Sequence, residues 1–472
     1  MMARLAAVIA WPFVAALPAV AQRAPLRPLS YTRFVLPNGL VALLNEDHTA
    51  PSAVVDIWYH IGSKDDKPGR TGMAHLCEHL YSFRPPHLTQ NLALFYVSLG
   101  AASTHFANTT EDITHFYVTL PSNVLETVLW AESDRLVSPF GLVDSAQMAS
   151  VLGVVARERQ ANFEAVPYGV FRELNIAAIY PPGHPYHFSP IPPMADLYAA
   201  TVSDLREQCR PYYAPNNAVI SISGDFNPAQ AKAWITKYFG GIPRTAVPAR
   251  VVVPRVTLAK ESRVVLEDSR VNVTRLAMSW PGAAFTDSSR AALRAVAYLL
   301  TAPRFGRLSK LVVDDRKLAT NVIAENIDME KGGVFQILAF PRPGVSLTAL
   351  ETVVDSVIAG LSTAPFTQRD VERFNAYDGM LATESLQSRY ARADTLAHGE
   401  IFAGDPVAYA KQTNAARALR PSDLQAAAKR YLTPGRVVMS MVPAGKLDLV
   451  SKPNLPYENV TPPSSVQRKT TP

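Results

Sequence analysis

The sequence predicts a chain of mixed strands and helices folded as two similar-sized units, and three observations carry that expectation. Strand-like runs and helical periodicities alternate in both halves of the 472 residues, in a similar order. A stretch punctuated by Pro243, Pro248 and Pro254 separates the halves and reads as an extended linker, residues 242–261. A chain of this length that is 48% hydrophobic can bury two cores.

Taken in order, residues 1–21 combine Arg4, an apolar run to Val20 and the small-residue end Ala19-Val20-Ala21. That pattern predicts a secretory signal peptide cleaved after Ala21, and so a periplasmic or secreted protein. No later run of apolar residues is long enough for a membrane span. Residues 22–241 form the first unit. Within it, residues 34–44 read as two strands around an Asn38-Gly39 turn, 53–59 as a core strand and 62–72 as a polar loop. Residues 104–109 and 113–120 read as a strand pair. Helices follow over 121–136, 144–165 and 205–213, then a strand at 218–223 and a helix at 228–239. In the second unit, 262–452, strands are expected at 262–266, 273–280, 334–340 and 437–442. Helices are expected at 288–301, 308–315 and 347–361 and through much of the chain to Tyr431. The polar, proline-rich tail 453–472 is expected to lack fixed structure.

The net charge of +6 is small for the length, and Lys and Arg are interspersed with acids, so a nucleic-acid-binding surface is not indicated. Only Cys77 and Cys209 are present, so there is no disulfide framework. Cys77 reads as a core residue, with a bond to Cys209 the less favoured alternative.

The chemistry concentrates in Thr71-Gly72-Met73-Ala74-His75-Leu76-Cys77-Glu78-His79-Leu80. On a helix His75 and His79 share a face and can hold one metal ion between them. Glu78 beside them can take a proton from a metal-activated water, which is peptidase chemistry. Cys77 lies roughly 200° from His75 and faces away. A catalytic site needs a third protein ligand, and no further histidine has the spacing. Glu158, an acid in the otherwise buried row Val151, Val155, Glu158 and Asn162, is the best candidate. His48, His60, His87, His105, His115, His184, His187 and His398 read as loop or core histidines, and Arg389-Tyr390 as helix packing.

These residues resemble the pitrilysin/insulinase metallopeptidases, the family that includes the mitochondrial processing peptidase. The resemblance is carried by Leu36-Pro37-Asn38-Gly39-Leu40, the loop from Gly62 to Gly69, the His75–His79 motif, and Thr109-Thr110-Glu111-Asp112-Ile113-Thr114. Gly183-His184-Pro185-Tyr186, Tyr212-Tyr213-Ala214-Pro215-Asn216-Asn217-Ala218 and Gly224-Asp225 extend it. Val154-Val155-Ala156-Arg157-Glu158-Arg159 matches the segment bearing that family's third ligand. The resemblance implies an α+β fold of two homologous domains, each a mixed, mostly antiparallel sheet packed with helices. It implies zinc held by His75, His79 and Glu158, with Glu78 as general base of an endopeptidase acting on unfolded peptides or small proteins. It also implies a homo- or hetero-dimer, the latter with a homologous sister subunit, because one chain supplies half of the family's clamshell.

Three departures accompany it. Val151 stands seven residues before Glu158, where the family places a second acid. Phe106-Ala107-Asn108 replaces the family's peptide-pairing pattern, although a strand there can still bind substrate through its main chain. Val313 and Thr320 occupy the second-domain positions of an arginine and a tyrosine that serve the zinc site, with Arg307 and Arg316 as candidate substitutes. The alternative these raise is a weakly active or non-catalytic scaffold subunit of a hetero-oligomeric peptidase.

Overall fold

The computed structural model describes residues 25–82, 85–101 and 107–460. The expected signal peptide, Phe106 and residues 461–472 lie outside them. β1 (Thr32–Val35) and β2 (Val41–Glu46) form the expected hairpin. Its turn needs Gly39, at φ +93°, since a Cβ there would lie 2.8 Å from the Asn216 Cβ. Asn38 Nδ2 then donates to the carbonyls of Phe239 and Ile242, pinning the turn beneath the end of the domain.

β3 (Ser52–Tyr59), β4 (Ala107–Thr109), β5 (Thr114–Pro121) and β6 (Ala218–Gly224) complete a six-stranded sheet ordered β1-β2-β6-β3-β5-β4. Only β2 and β6 run parallel. Helices α1 (Met73–Tyr81), α2 (Leu92–Ser98), α3 (Leu125–Val137), α4 (Ser145–Arg159), α5 (Phe171–Ile179), α6 (Ala195–Ala199), α7 (Val202–Gln208) and α8 (Pro228–Phe239) accompany it. The second sheet contains β7 (Ser262–Asp268), β8 (Arg275–Pro281), β9 (Ala319–Asp328), β10 (Gly333–Pro341), β11 (Val437–Pro443) and β12 (Glu458–Val460), in the order β12-β7-β11-β8-β10-β9. With it are α9 (Arg290–Thr301), α10 (Leu347–Gly360), α11 (Gln368–Ser385), α12 (Arg389–Ala403), α13 (Ala408–Ala416) and α14 (Pro421–Tyr431).

The two orders superpose strand for strand, β2, β6, β3, β5, β4 on β7, β11, β8, β10, β9, including the parallel pair. The outermost strand differs. β1 comes from before the first sheet and is antiparallel, whereas β12 comes from after the second and is parallel to β7. β12 corrects the expectation for the tail, because residues 458–460 gain ladder hydrogen bonds on an open edge. β9 is a strand that the sequence does not announce, since its exposed and half-buried residues give no clean alternation.

Each sheet buries both faces, and the units exchange helices to do so. Along β3, Ala53, Val55, Ile57 and Tyr59 enter the core with α1, α3 and α8, while Trp58 points the opposite way. There it packs, with Leu43 and Val219, against Leu396 and Ala397 of α12, a helix from the second half. Reciprocally, Ile176 and Ile179 of α5 pack on Val264, Leu266, Ala277 and Met439 of the second sheet. Polar ties reinforce the exchange. Arg392 reaches Asp47 at 2.6 Å, Arg33 reaches Glu400 at 2.8 Å, and the Glu330 N–H donates to Asp112 at 2.8 Å. Buried apolar side chains at roughly 1.5–3 kcal/mol each outweigh these partly exposed pairs.

Candidate metal centre

The motif helix α1 begins at Gly72, whose φ of +83° and close neighbours Pro192 and Leu197 leave no room for a side chain. Its first amides are satisfied by Asp66. One carboxylate oxygen accepts from the Gly72 N–H at 2.7 Å, and the other from the Ala74 N–H at 2.9 Å. Burial pushes this carboxyl up to about 8, against those amide donors. Asp66 gives no signal in the sequence because it lies six residues ahead of the helix, outside the usual capping position.

From that start, His75, Glu78 and His79 emerge on one side of α1 and their ligand atoms cluster. Glu158 comes from the last turn of α4, where Val155 is fully buried and anchors the row. The next residue, Arg159, is also fully buried and points elsewhere, pairing with Glu164 at 3.1 Å and Glu173 of α5 at 2.8 Å. The chain leaves α4 through a π-helical turn, residues 160–164. Such turns recur where a helix is bent to serve a site.

His75 Nε2 and His79 Nε2 lie 3.2 Å apart, and Glu158 Oε2 is 3.2 Å from His79 and 3.7 Å from His75. Ligands about 2.0–2.1 Å from a tetrahedral metal ion stand about 3.3–3.4 Å from one another, so the three atoms suit one face of such a polyhedron. The electrostatics agree with that use. Burial, with His79 close by, pushes His75 down to about 4, so its imidazole is a neutral ligand at pH 7. Against its own burial, His79 is raised by the Glu158 hydrogen bond and the Glu78 charge. Burial raises Glu78, opposed by the Thr109 hydroxyl, which donates to its Oε2 at 2.6 Å. A buried carboxyl so placed can carry a proton in both directions.

Thr109 belongs to β4, the edge strand, which pairs only with β5 among the described residues. Ala107 is half-buried and Asn108 exposed on this edge, and Phe106 lies outside the described residues. His75 Nδ1 is buried without a hydrogen-bond partner among the described residues. Val151 packs in the apolar core and offers no acceptor. In the second unit Thr320 donates to the Phe340 carbonyl at 3.1 Å, and Val313 packs on the core from a π-helical segment, Ser309–Asp315, where an α-helix was expected. Arg307 is committed to the carbonyls of Ala364 and Pro365 and lies over the Phe366 ring.

Cys77 lies on the side of α1 opposite His75 and His79, and it is bonded to Cys209, with the Cα atoms 6.3 Å apart. The pairing corrects the reading of Cys77 as a simple core residue. The partners lie 132 positions apart and meet only because α7 packs behind α1. Other histidines keep structural roles. His184 contacts the Pro254 carbonyl at 3.0 Å, and His187 the Tyr180 carbonyl at 2.6 Å. His115 sits between Asp56 at 3.1 Å and Asp394 of α12 at 3.9 Å, with the Trp58 indole donating to Asp56. Arg389 binds the Thr49 hydroxyl, and Tyr390 lies against Tyr117, both tying α12 to the first sheet.

Residues 41–179 match the family model described as insulinase (peptidase family M16), and residues 199–375 match the one described as peptidase M16 inactive domain. The chain is 28% identical over 331 residues to the zinc protease PqqE of Helicobacter pylori, covering 68% of this chain and 71% of that protein. Among solved structures, a protease from Helicobacter pylori superposes with a TM-score of 0.79 at 24% identity, over 88% of this chain and all of the other. The first half of the periplasmic protease PqqL from Escherichia coli gives 0.74 at 15% identity, over 89% of this chain and 93% of the other. At these identities the two structures share the fold.

Proposed function

Because the chain belongs to the insulinase family of peptidases, peptidase family M16, we propose that it is a zinc-dependent endopeptidase acting on unfolded peptides or small proteins. The observation that supports this reading is the convergence of His75, His79 and Glu158 at 3.2–3.7 Å, with Glu78 beside them. These three residues would hold the ion. A bound zinc ion would polarise the scissile carbonyl and make a water acidic enough to lose a proton near neutral pH. Glu78 takes that proton as general base, and the resulting carboxylic acid returns it to the leaving amine. Thr109 fixes one Glu78 oxygen and leaves the other to the water. An extended substrate adds to β4 through its backbone, along Ala107 and Asn108, so that binding depends on main-chain pairing.

Replacing Glu78 by Gln is expected to abolish cleavage of a fluorogenic peptide while zinc content stays near one ion per chain. Undiminished cleavage by that variant would sink the mechanism.

A second reading is favoured by one set of observations: His75 Nδ1 lacks a partner among the described residues, and Val151, Val313 and Thr320 supply no acid, guanidinium or phenol. On it the chain is a weakly active or scaffold subunit, completed by a homologous sister chain in a dimer. Cleavage that rises only on adding the sister supports this reading, and strong activity of a homodimer opposes it. No helix among the described residues is long and apolar enough to cross a membrane. A periplasmic or secreted location is supported by the leader-like residues 1–21 and by the likeness in fold to PqqL, a periplasmic protease.

A further inference from the structure

The metal-side residues occupy one side of α1, and what fixes the other side decides where they point. α1 is nine residues long, too short for backbone hydrogen bonds alone to hold it. Its N-terminus is held by Asp66, and Gln208 at the end of α7 donates to the same carboxylate at 3.4 Å. The next residue along, Cys209, is bonded to Cys77 on the back of α1, and both sulfurs are fully buried. Cys77 lies two residues from His75 and two from His79, so the bond attaches almost diametrically behind both imidazoles. The hydrophobic effect that buries Leu76, Leu80 and Tyr81 beside it is non-directional, and the Tyr81 hydroxyl bond to Tyr59 lies at the far end of the helix. A covalent bond at that point opposes rotation about the helix axis, the movement that would swing His75 and His79 away from Glu158 on α4.

We propose that the Cys77–Cys209 disulfide is a positioning element of the metal centre, setting the rotation of α1 at which both histidines meet Glu158. This rests on the reading of His75, His79 and Glu158 as metal ligands. A cross-link with only a structural role stabilises the fold by restricting the unfolded chain and leaves the metal affinity of the folded protein unchanged. The two roles therefore separate in a binding measurement on folded protein.

The test compares the full chain with Cys77→Ala/Cys209→Ala and with Phe239→Leu, a core change in α8 that destabilises the same domain from outside the α1–α7 pair. Zinc affinity is measured by competition with a chromophoric chelator at a temperature where circular dichroism shows all three folded. The expected result is zinc binding weaker by roughly tenfold or more in the cysteine variant, the scale of lost support to a metal ligand, with Phe239→Leu unchanged. Wild-type affinity in the cysteine variant overturns the proposal, as does equal weakening in Phe239→Leu. If the alanine pair does not fold, Cys77→Val/Cys209→Ala restores the lost volume for the same titration. Amide hydrogen exchange over residues 73–81 against 125–137 is read in parallel on the metal-free proteins. Faster exchange confined to 73–81 supports positioning, and uniform change overturns it. A wild-type chain that binds no zinc defeats the metal reading alone, and the exchange result then still decides whether the disulfide positions α1.

Discussion

The Thr109 hydroxyl donates to Glu78 Oε2 at 2.6 Å, tying the proposed general base of α1 to the edge strand on which a peptide would pair. Thr109 also contacts Thr114, whose hydroxyl donates to the Ile61 carbonyl at 3.0 Å, so the base is oriented by the sheet itself. Thr109→Val removes the donor while keeping the shape. A hydrogen bond to an ionised group is worth about 1.5–3 kcal/mol, so kcat should fall roughly tenfold to a hundredfold with zinc content unchanged. Thr109→Ser should recover most of the loss, and steady-state peptide cleavage distinguishes the three proteins.

Arg159→Met should destabilise the first domain by about 3 kcal/mol, because it leaves the buried Glu173 carboxylate without its cation. Since Arg159 adjoins Glu158, metal affinity should weaken as well. Urea unfolding and chelator competition measure the two effects. An unchanged urea midpoint would refute the role given to this residue.

Asp66→Ala removes the acceptor for two amides at the start of α1. Loss of such a cap lowers stability by roughly 1–2 kcal/mol. The first turn of α1 should then exchange its amide protons faster, with α8 unaffected, by hydrogen-exchange mass spectrometry.

Acid should weaken the second domain through Glu351. Burial would raise this carboxyl, but Arg263, Lys452 and Ser451 hold it down to about 2. A folded-state value below the unfolded one gives stability that is present above pH about 4.5 and lost as pH falls toward 2. The contribution is at most about 3 kcal/mol. Glu351→Gln should lower the thermal midpoint at pH 7 and flatten its fall between pH 5 and 3 in calorimetry.

Much of the site is legible in the sequence because its chemistry is local. Two histidines four apart with a glutamate between them define a helix face wherever that helix sits, and β3 declares itself by an apolar run buried on both sides. The proposed third ligand, Glu158, is signalled by its segment, Val154 to Arg159. Other features leave no such trace. Asp66 acts across a loop, Thr109 acts through strand pairing, and β12 forms from a polar tail because the second sheet offers it an open edge. The π-helical turns after Glu158 and around Val313 differ from α-helix by one residue per turn, a change that apolar spacing does not record.

By itself the sequence determined which side of α1 carries His75 and His79, the two-unit plan and the identity of the residues that could do chemistry, since each depends on near neighbours and backbone periodicity. The tertiary structure alone decided that α5 and α12 change places between the sheets, that β4 stands at an edge beside Glu78, and that Cys77 finds Cys209. Those outcomes join residues far apart in the chain. They depend on which surfaces remain to be covered once both sheets have formed, and local spacing carries no information about that.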